Sequence, residues 1–146
     1  EAKKPFWSWP VSLVSGLLLV VLTGVIYQQS QQALFQADYT ASLETEDESL
    51  QVLASYDKTR NLLRVSSSKA TPAAGRSHEL WLIAGDNVPV SLGVLRNIND
   101  ENIVLSDALS SVIIGSTLAI SDEPQGGSPT GSPTGAVLTT AIVMEI

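Results

Sequence analysis

His78 is the one histidine in the 146 residues, and the chain has no cysteine. A Ser-His-Asp arrangement would therefore have to use His78 with one of many serines, and no thiolate nucleophile or thiolate metal site is available. His78 opens the run HELWLI beside Glu79, where a strand-edge histidine ordinarily hydrogen-bonds a backbone group or a carboxylate, or titrates near its ~6.5 reference value as a pH sensor. Glu44, Glu46, Asp47 and Glu48 invite a calcium reading, because clustered carboxylate oxygens suit a hard cation. The spacing of a calcium loop and its turn glycine are absent, so the run reads as a solvated loop. Asp122 and Glu123, just before Pro124, read as capping a turn. This inventory predicts no enzyme, no cofactor and no metal.

These residues need elements to hold them. Trp7 to Tyr27, WSWPVSLVSGLLLVVLTGVIY, carries no charge and is long enough at ~1.5 Å per residue to cross a ~30 Å hydrocarbon core as one helix. Lys3 and Lys4 precede it and the first charge beyond it is Asp38, which puts residue 1 in the cytoplasm and the rest outside. Phe6, Trp7, Trp9 and Tyr27 stand where interfacial aromatics belong. A cleaved signal peptide has a shorter apolar core and a small-residue cleavage site, so the anchor is the better reading. Ser12, Ser15, Gly16, Thr23 and Gly24 have three readings: ordinary anchoring, local unwinding for an intramembrane protease, or close approach of a partner helix through the Ser12/Gly16 pair.

The predicted organisation is a cytoplasmic stub over 1–6, a transmembrane helix over 7–27, a juxtamembrane stalk over 28–40 and an extracytoplasmic domain over 41–146. All but Glu1 of the fifteen acidic residues lie beyond the span and the formal charge is −7. This argues against nucleic acid as a direct partner. The outer domain reads as short strands: ADYTASL, LQVLASYD, NLLRVSS, HELWLIA, VSLGVL, NIVLS, STLAIS and AVLTTAIVM, with turn residues about every ten positions. That predicts an all-β fold, a small antiparallel β-sandwich preceded by one transmembrane α-helix. Leu50–Tyr56 and Asn61–Ser66 read as a hairpin, Ser106 as the N-cap of a helical turn, and Trp81 as either filling the second side of the core or anchoring a partner.

The segment Gly126, Gly127, Ser128, Pro129, Thr130, Gly131, Ser132, Pro133, Thr134 and Gly135 repeats Ser-Pro-Thr-Gly in tandem. Its prolines and glycines exclude helix and interior strand. It reads as a long polar turn or as a sensing loop.

HELWLI at 78–83, SLGVL at 91–95 and TLAISDEPQGGSPTGSPTG from Thr117, in that order, resemble the extracytoplasmic part of the anti-sigma-K factor (RskA-type) family, over roughly residues 7–142. The resemblance implies a bacterial cytoplasmic (inner) membrane protein whose cytoplasmic N-terminal domain, missing from this chain, holds a sigma factor inactive. It implies a site-1 type protease cutting outside and an intramembrane site-2 type protease cutting within the bilayer, so that this chain is the sensing half. The alternative is an anchored ligand-binding or scaffold module unrelated to transcription, using the 126–135 loop and Trp81 as its contact surface.

Overall fold

From Tyr39 onward the apolar residues alternate with polar ones, and each alternating run forms a strand whose apolar face turns inward. The computed structural model describes Val21 and residues 34–146 other than 87 and 97–99. Val21 is helical. The stub, the rest of the predicted transmembrane helix with its five small residues, and the stalk up to 33 lie outside the described residues. Among the described residues no helix is long and apolar enough to cross a membrane.

Gln36–Ile146 forms one compact unit. Its strands are β1 (Tyr39–Glu44), β2 (Leu50–Asp57), β3 (Leu62–Ala70), β4 (Arg76–Ile83), β5 (Val90–Val94), β6 (Glu101–Val104), β7 (Thr117–Pro124), β8 (Val137–Ile142) and β9 (Met144–Glu145), with one short helix, α1 (Asp107–Ser110). They make two antiparallel sheets, ordered β6-β3-β2-β1-β9 and β5-β4-β7-β8. The all-β expectation with two antiparallel sheets holds. Tyr39 and Thr40, the last two residues of the predicted stalk, are already paired in β1 with Tyr56 and Ser55.

The core lies between the sheets. Ala41, Leu43, Val52, Ala54, Tyr56, Leu63 and Val65 from one sheet meet Leu80, Leu82, Leu118 and Ile120 from the other. Each large side chain withdrawn from water contributes roughly 1.5–3 kcal/mol. Ser42 and Glu44 in β1, and Leu53 in β2, face outward, as the alternation requires.

The β2–β3 hairpin forms where the sequence predicts it, with Tyr56 opposite Leu63 and Asp57 opposite Leu62. Asn61 closes its turn at φ 51°, a left-handed conformation that asparagine tolerates. Ser106 caps α1 by accepting the Leu109 N–H, again as predicted.

β4 breaks the alternating pattern, since every residue from Ser77 to Leu82 is buried. A strand buried on both faces needs a covering on its outer side as well as a core on its inner one. The outer covering is where the sequence-distinctive loop lies.

Candidate functional site

Residues 79 and 81 of β4 and 119, 121 and 123 of β7 share the face of the second sheet that points away from the main core, given the pairing of Glu79 with Ser121 and Trp81 with Ala119. Trp81 is fully buried there. Its indole Nε1–H donates to Ser121 Oγ at 2.8 Å, and Ser121 Oγ donates in turn to Glu123 Oε1 at 2.6 Å. Glu123 is also fully buried. Burial pushes its carboxyl up, but the hydrogen bonds from Ser121, Thr134 and Gly135 outweigh this and hold it below the ordinary glutamate value.

The 126–135 loop supplies those donors. Thr134 N–H approaches Glu123 Oε1 at 3.0 Å, Gly135 N–H approaches both carboxylate oxygens at 3.2 Å, and the Thr134 hydroxyl donates to Oε2. At its other end Ser128 N–H donates to Glu79 Oε2 at 2.6 Å, while the Ser91 hydroxyl donates to Glu79 Oε1. Two carboxylates projecting from neighbouring strands therefore grip the two ends of one loop. The grip needs glycine at both ends. A Cβ on Gly127 would stand 2.8 Å from Val94 Cγ2 and 2.9 Å from Glu79 Oε2, and one on Gly135 would overlap the Asp122 carbonyl oxygen at 1.6 Å.

Of the ten candidate sensing residues, Ser128, Thr134 and Gly135 thus bond inward and Gly127 packs inward. Gly126 N–H donates to Ser77 Oγ at 3.0 Å. Pro129, Thr130 and Gly131 form the exposed tip, and Ser132 and Pro133 are half-buried. Within the tip Thr130 Oγ1 donates to the Ser132 carbonyl at 3.1 Å, and the Ser128 hydroxyl bonds the same oxygen. The segment is an ordered strap across the sheet. Trp81, taken in the alternative reading as part of a contact surface, lies wholly inside, because the polar end of its ring is satisfied by Ser121 within the layer beneath.

A second constellation fastens the start of the compact unit. Asp57, at the end of β2, is 1% exposed and its carboxylate is held by several donors. Its carboxylate accepts the N–H of Gln36 at 3.1 Å, the N–H of Arg60 at 3.0 Å and the Arg60 guanidinium at 2.6 Å. Burial raises its pKa, but these donors prevail and the net shift is downward. Asp38 works in the reverse sense: its N–H donates to the Tyr56 carbonyl at 2.9 Å and its Oδ2 accepts Lys58 N–H at 2.9 Å. Its carbonyl accepts Ile146 N–H at 3.2 Å, beside the pairing of β9 with Tyr39 and Thr40. The residues at which the predicted stalk enters the domain are thus stitched to the β2–β3 turn on one side and to β9 on the other.

The remaining candidates have local roles. His78 is buried near the start of β4, and its Nδ1 has no hydrogen-bond partner. Burial lowers its pKa, opposed by the charge of Asp122 and a hydrogen bond to the Ala70 backbone. Asp122 pairs with Arg76 at 2.8 Å. In the acidic run, Asp47 accepts from Thr45 Oγ1 at 2.7 Å and from the hydroxyl and N–H of Ser49 at 2.7 and 3.1 Å, which lowers its pKa to about 2. It organises its own turn. Among the described residues no three His, Cys, Asp or Glu side chains are grouped to hold a metal.

Sequence reasoning missed Glu79 and Asp57 as organising groups. Asp57 read as one polar residue of a turn, and nothing local to it announces a partner 21 positions earlier.

The fold is a two-sheet antiparallel β-domain with an ordered strap fastened across its second sheet. The chain belongs to the anti-sigma-K factor RskA C-terminal family, whose model matches residues 11–137. The match spans the strands from β1 to β7 and the whole 126–135 strap. Membership places the chain among anti-sigma factors, with a sigma factor as the partner the family implies. No curated protein and no solved structure matches the chain.

Proposed function

We propose that this chain is the membrane-anchored, extracytoplasmic half of an anti-sigma factor, in which the folded β-domain governs access of a site-1 type protease to the stalk between about Gln28 and Thr40. The first cut prepares the anchor for an intramembrane site-2 type protease, and that second cut frees a sigma factor held by a cytoplasmic domain outside this chain. The family match supports the anti-sigma role. The single observation that carries the gating role is the stitching of Gln36–Thr40 into the domain through Asp57, Asp38 and β1.

The physical basis is that proteases act on backbone that is free of its pairing partners, so susceptibility follows local hydrogen bonding and burial. Any signal that favours the open over the closed arrangement of this segment raises cleavage in proportion to its differential affinity for the two. The anchor keeps the domain at the outer face of the bacterial cytoplasmic membrane, and the chain performs no chemistry.

The test is affinity purification of the full-length native protein from its own membranes, with mass spectrometry of its N-terminus and of whatever remains bound. A co-purifying sigma factor is the expected result. A short native N-terminus accompanied only by envelope proteins would contradict the reading and turn attention to an anchored binding module.

A further inference from the structure

The two edges of β1 are guarded very unequally. Along one edge β2 pairs with all six residues, Tyr39 through Glu44, and its side chains are locked into the core. Along the other, β9 pairs only with Tyr39 and Thr40. The Ile146 N–H adds a third contact, to the Asp38 carbonyl.

β9 gains almost nothing from burial. Met144 is 62% exposed and Ile146 74%. Val143, immediately before it, is buried, donates its N–H to the Ser116 carbonyl at 2.9 Å and accepts from Gly115 N–H at 3.0 Å. The chain is therefore pinned at Val143 and weakly held beyond it, a natural boundary for a local opening that leaves the core intact.

We propose that Gln36–Thr40 is closed to proteolysis by a latch with two separable sides, the Asp57 carboxylate and strand β9, and that release of β9 alone exposes this segment while both sheets remain folded. The proposal rests on the reading of the stalk as the first protease's target, and it specifies the regulation of that site: the switch is a local fraying of β9 about Val143 rather than unfolding of the sandwich. An extended substrate backbone binds a protease through the edge that β9 otherwise occupies, so freeing the outer edge of β1 creates a strand that the enzyme can pair with. The Asp57 side then sets how far the opening spreads toward Gln36.

The test is limited proteolysis of the full chain in detergent micelles by thermolysin, with cut positions read by mass spectrometry and stability by thermal unfolding. Ile146→Pro removes the N–H given to Asp38, and Met144→Pro/Ile146→Pro also denies β9 a donor opposite Thr40. For the double variant, cleavage within 36–40 is expected to rise about 10-fold or more, with a Tm within about 3 °C of the parent. Ile146→Pro alone gives a smaller rise at the same bonds. Asp57→Asn moves cleavage toward Gln36. An unchanged rate within 36–40 overturns the proposal, and so does a rise matched by equal new cuts inside β2 and β4, which would report global unfolding. No sigma factor takes part in this assay, so its outcome separates the latch from the anti-sigma reading: co-purification fails or succeeds independently of it.

Discussion

The carboxylate of Asp57 accepts the backbone N–H of Gln36 at 3.1 Å while it holds the Arg60 guanidinium at 2.6 Å. One buried side chain thereby closes the β2–β3 turn and ties the entry of the domain to it. Replacing it with alanine leaves two backbone donors and a cation without their acceptor. Asp57→Ala is expected to cost about 2–4 kcal/mol, measured by chemical denaturation, because buried donors lose partners that water does not fully replace.

Acid should weaken the fold in two stages. Asp57 and Glu123 have pKa values below those of the unfolded chain. Their stabilisation is therefore complete above the unfolded carboxylate value, about 4, and is lost as pH falls through the folded values. His78 is depressed too, and for a base this means that the folded state binds fewer protons. Stability then begins to fall as pH drops below about 6.5, the unfolded histidine value, and the loss levels off at the folded pKa. Denaturation midpoints measured from pH 8 to 3 should show both declines, and His78→Leu should remove the first alone.

The two repeats of Ser-Pro-Thr-Gly end in glycines with different duties. Gly131, at φ 75°, points into open space, so Gly131→Ala costs only the strain of a left-handed residue, about 1 kcal/mol. Gly135 lies against the Asp122 carbonyl, and Gly135→Ala forces the strap off the sheet. It is expected to destabilise by more than about 3 kcal/mol. Equal effects of the two substitutions in urea unfolding would contradict the strap geometry.

The chain of bonds from Trp81 through Ser121 to Glu123 predicts coupling. Ser121→Ala orphans the indole N–H and removes one donor from Glu123, a cost of about 1–3 kcal/mol. Glu123→Gln replaces an acceptor for several donors with a group that is itself half donor, and should cost a similar amount. In a double-mutant cycle the two losses should fall short of additivity by about 0.5 kcal/mol or more, since both break the same bond.

Much of this molecule is legible in its sequence, and the boundary of legibility is physical. Alternation locates the strands because each has a core face, and Ser106 and the β2–β3 turn announce themselves through local side-chain chemistry. HELWLI reads as a buried strand, with Trp81 either filling a second side of the core or anchoring a partner; the structure gives the first, and periodicity could not choose because it does not say what will cover the outer face. The strap reads as a loop because of its prolines and glycines. That it is fastened, and that Glu79 and Glu123 fasten it, depends on contacts up to 49 residues apart. Asp57 is the same case: its partner is fixed by the sheet's register, not by its neighbours.

The most direct test of the account is to express the full-length protein with its sigma factor and a sigma-dependent reporter, and to compare the parent with Gly135→Ala and Asp57→Ala while following the anchor fragment by immunoblot. The account predicts that both substitutions increase first-site cleavage and raise reporter output, and that deleting the intramembrane protease abolishes the rise in reporter output while the first-cut anchor fragment persists. Reporter output that stays at the parental level while the outer domain is demonstrably loosened would contradict it.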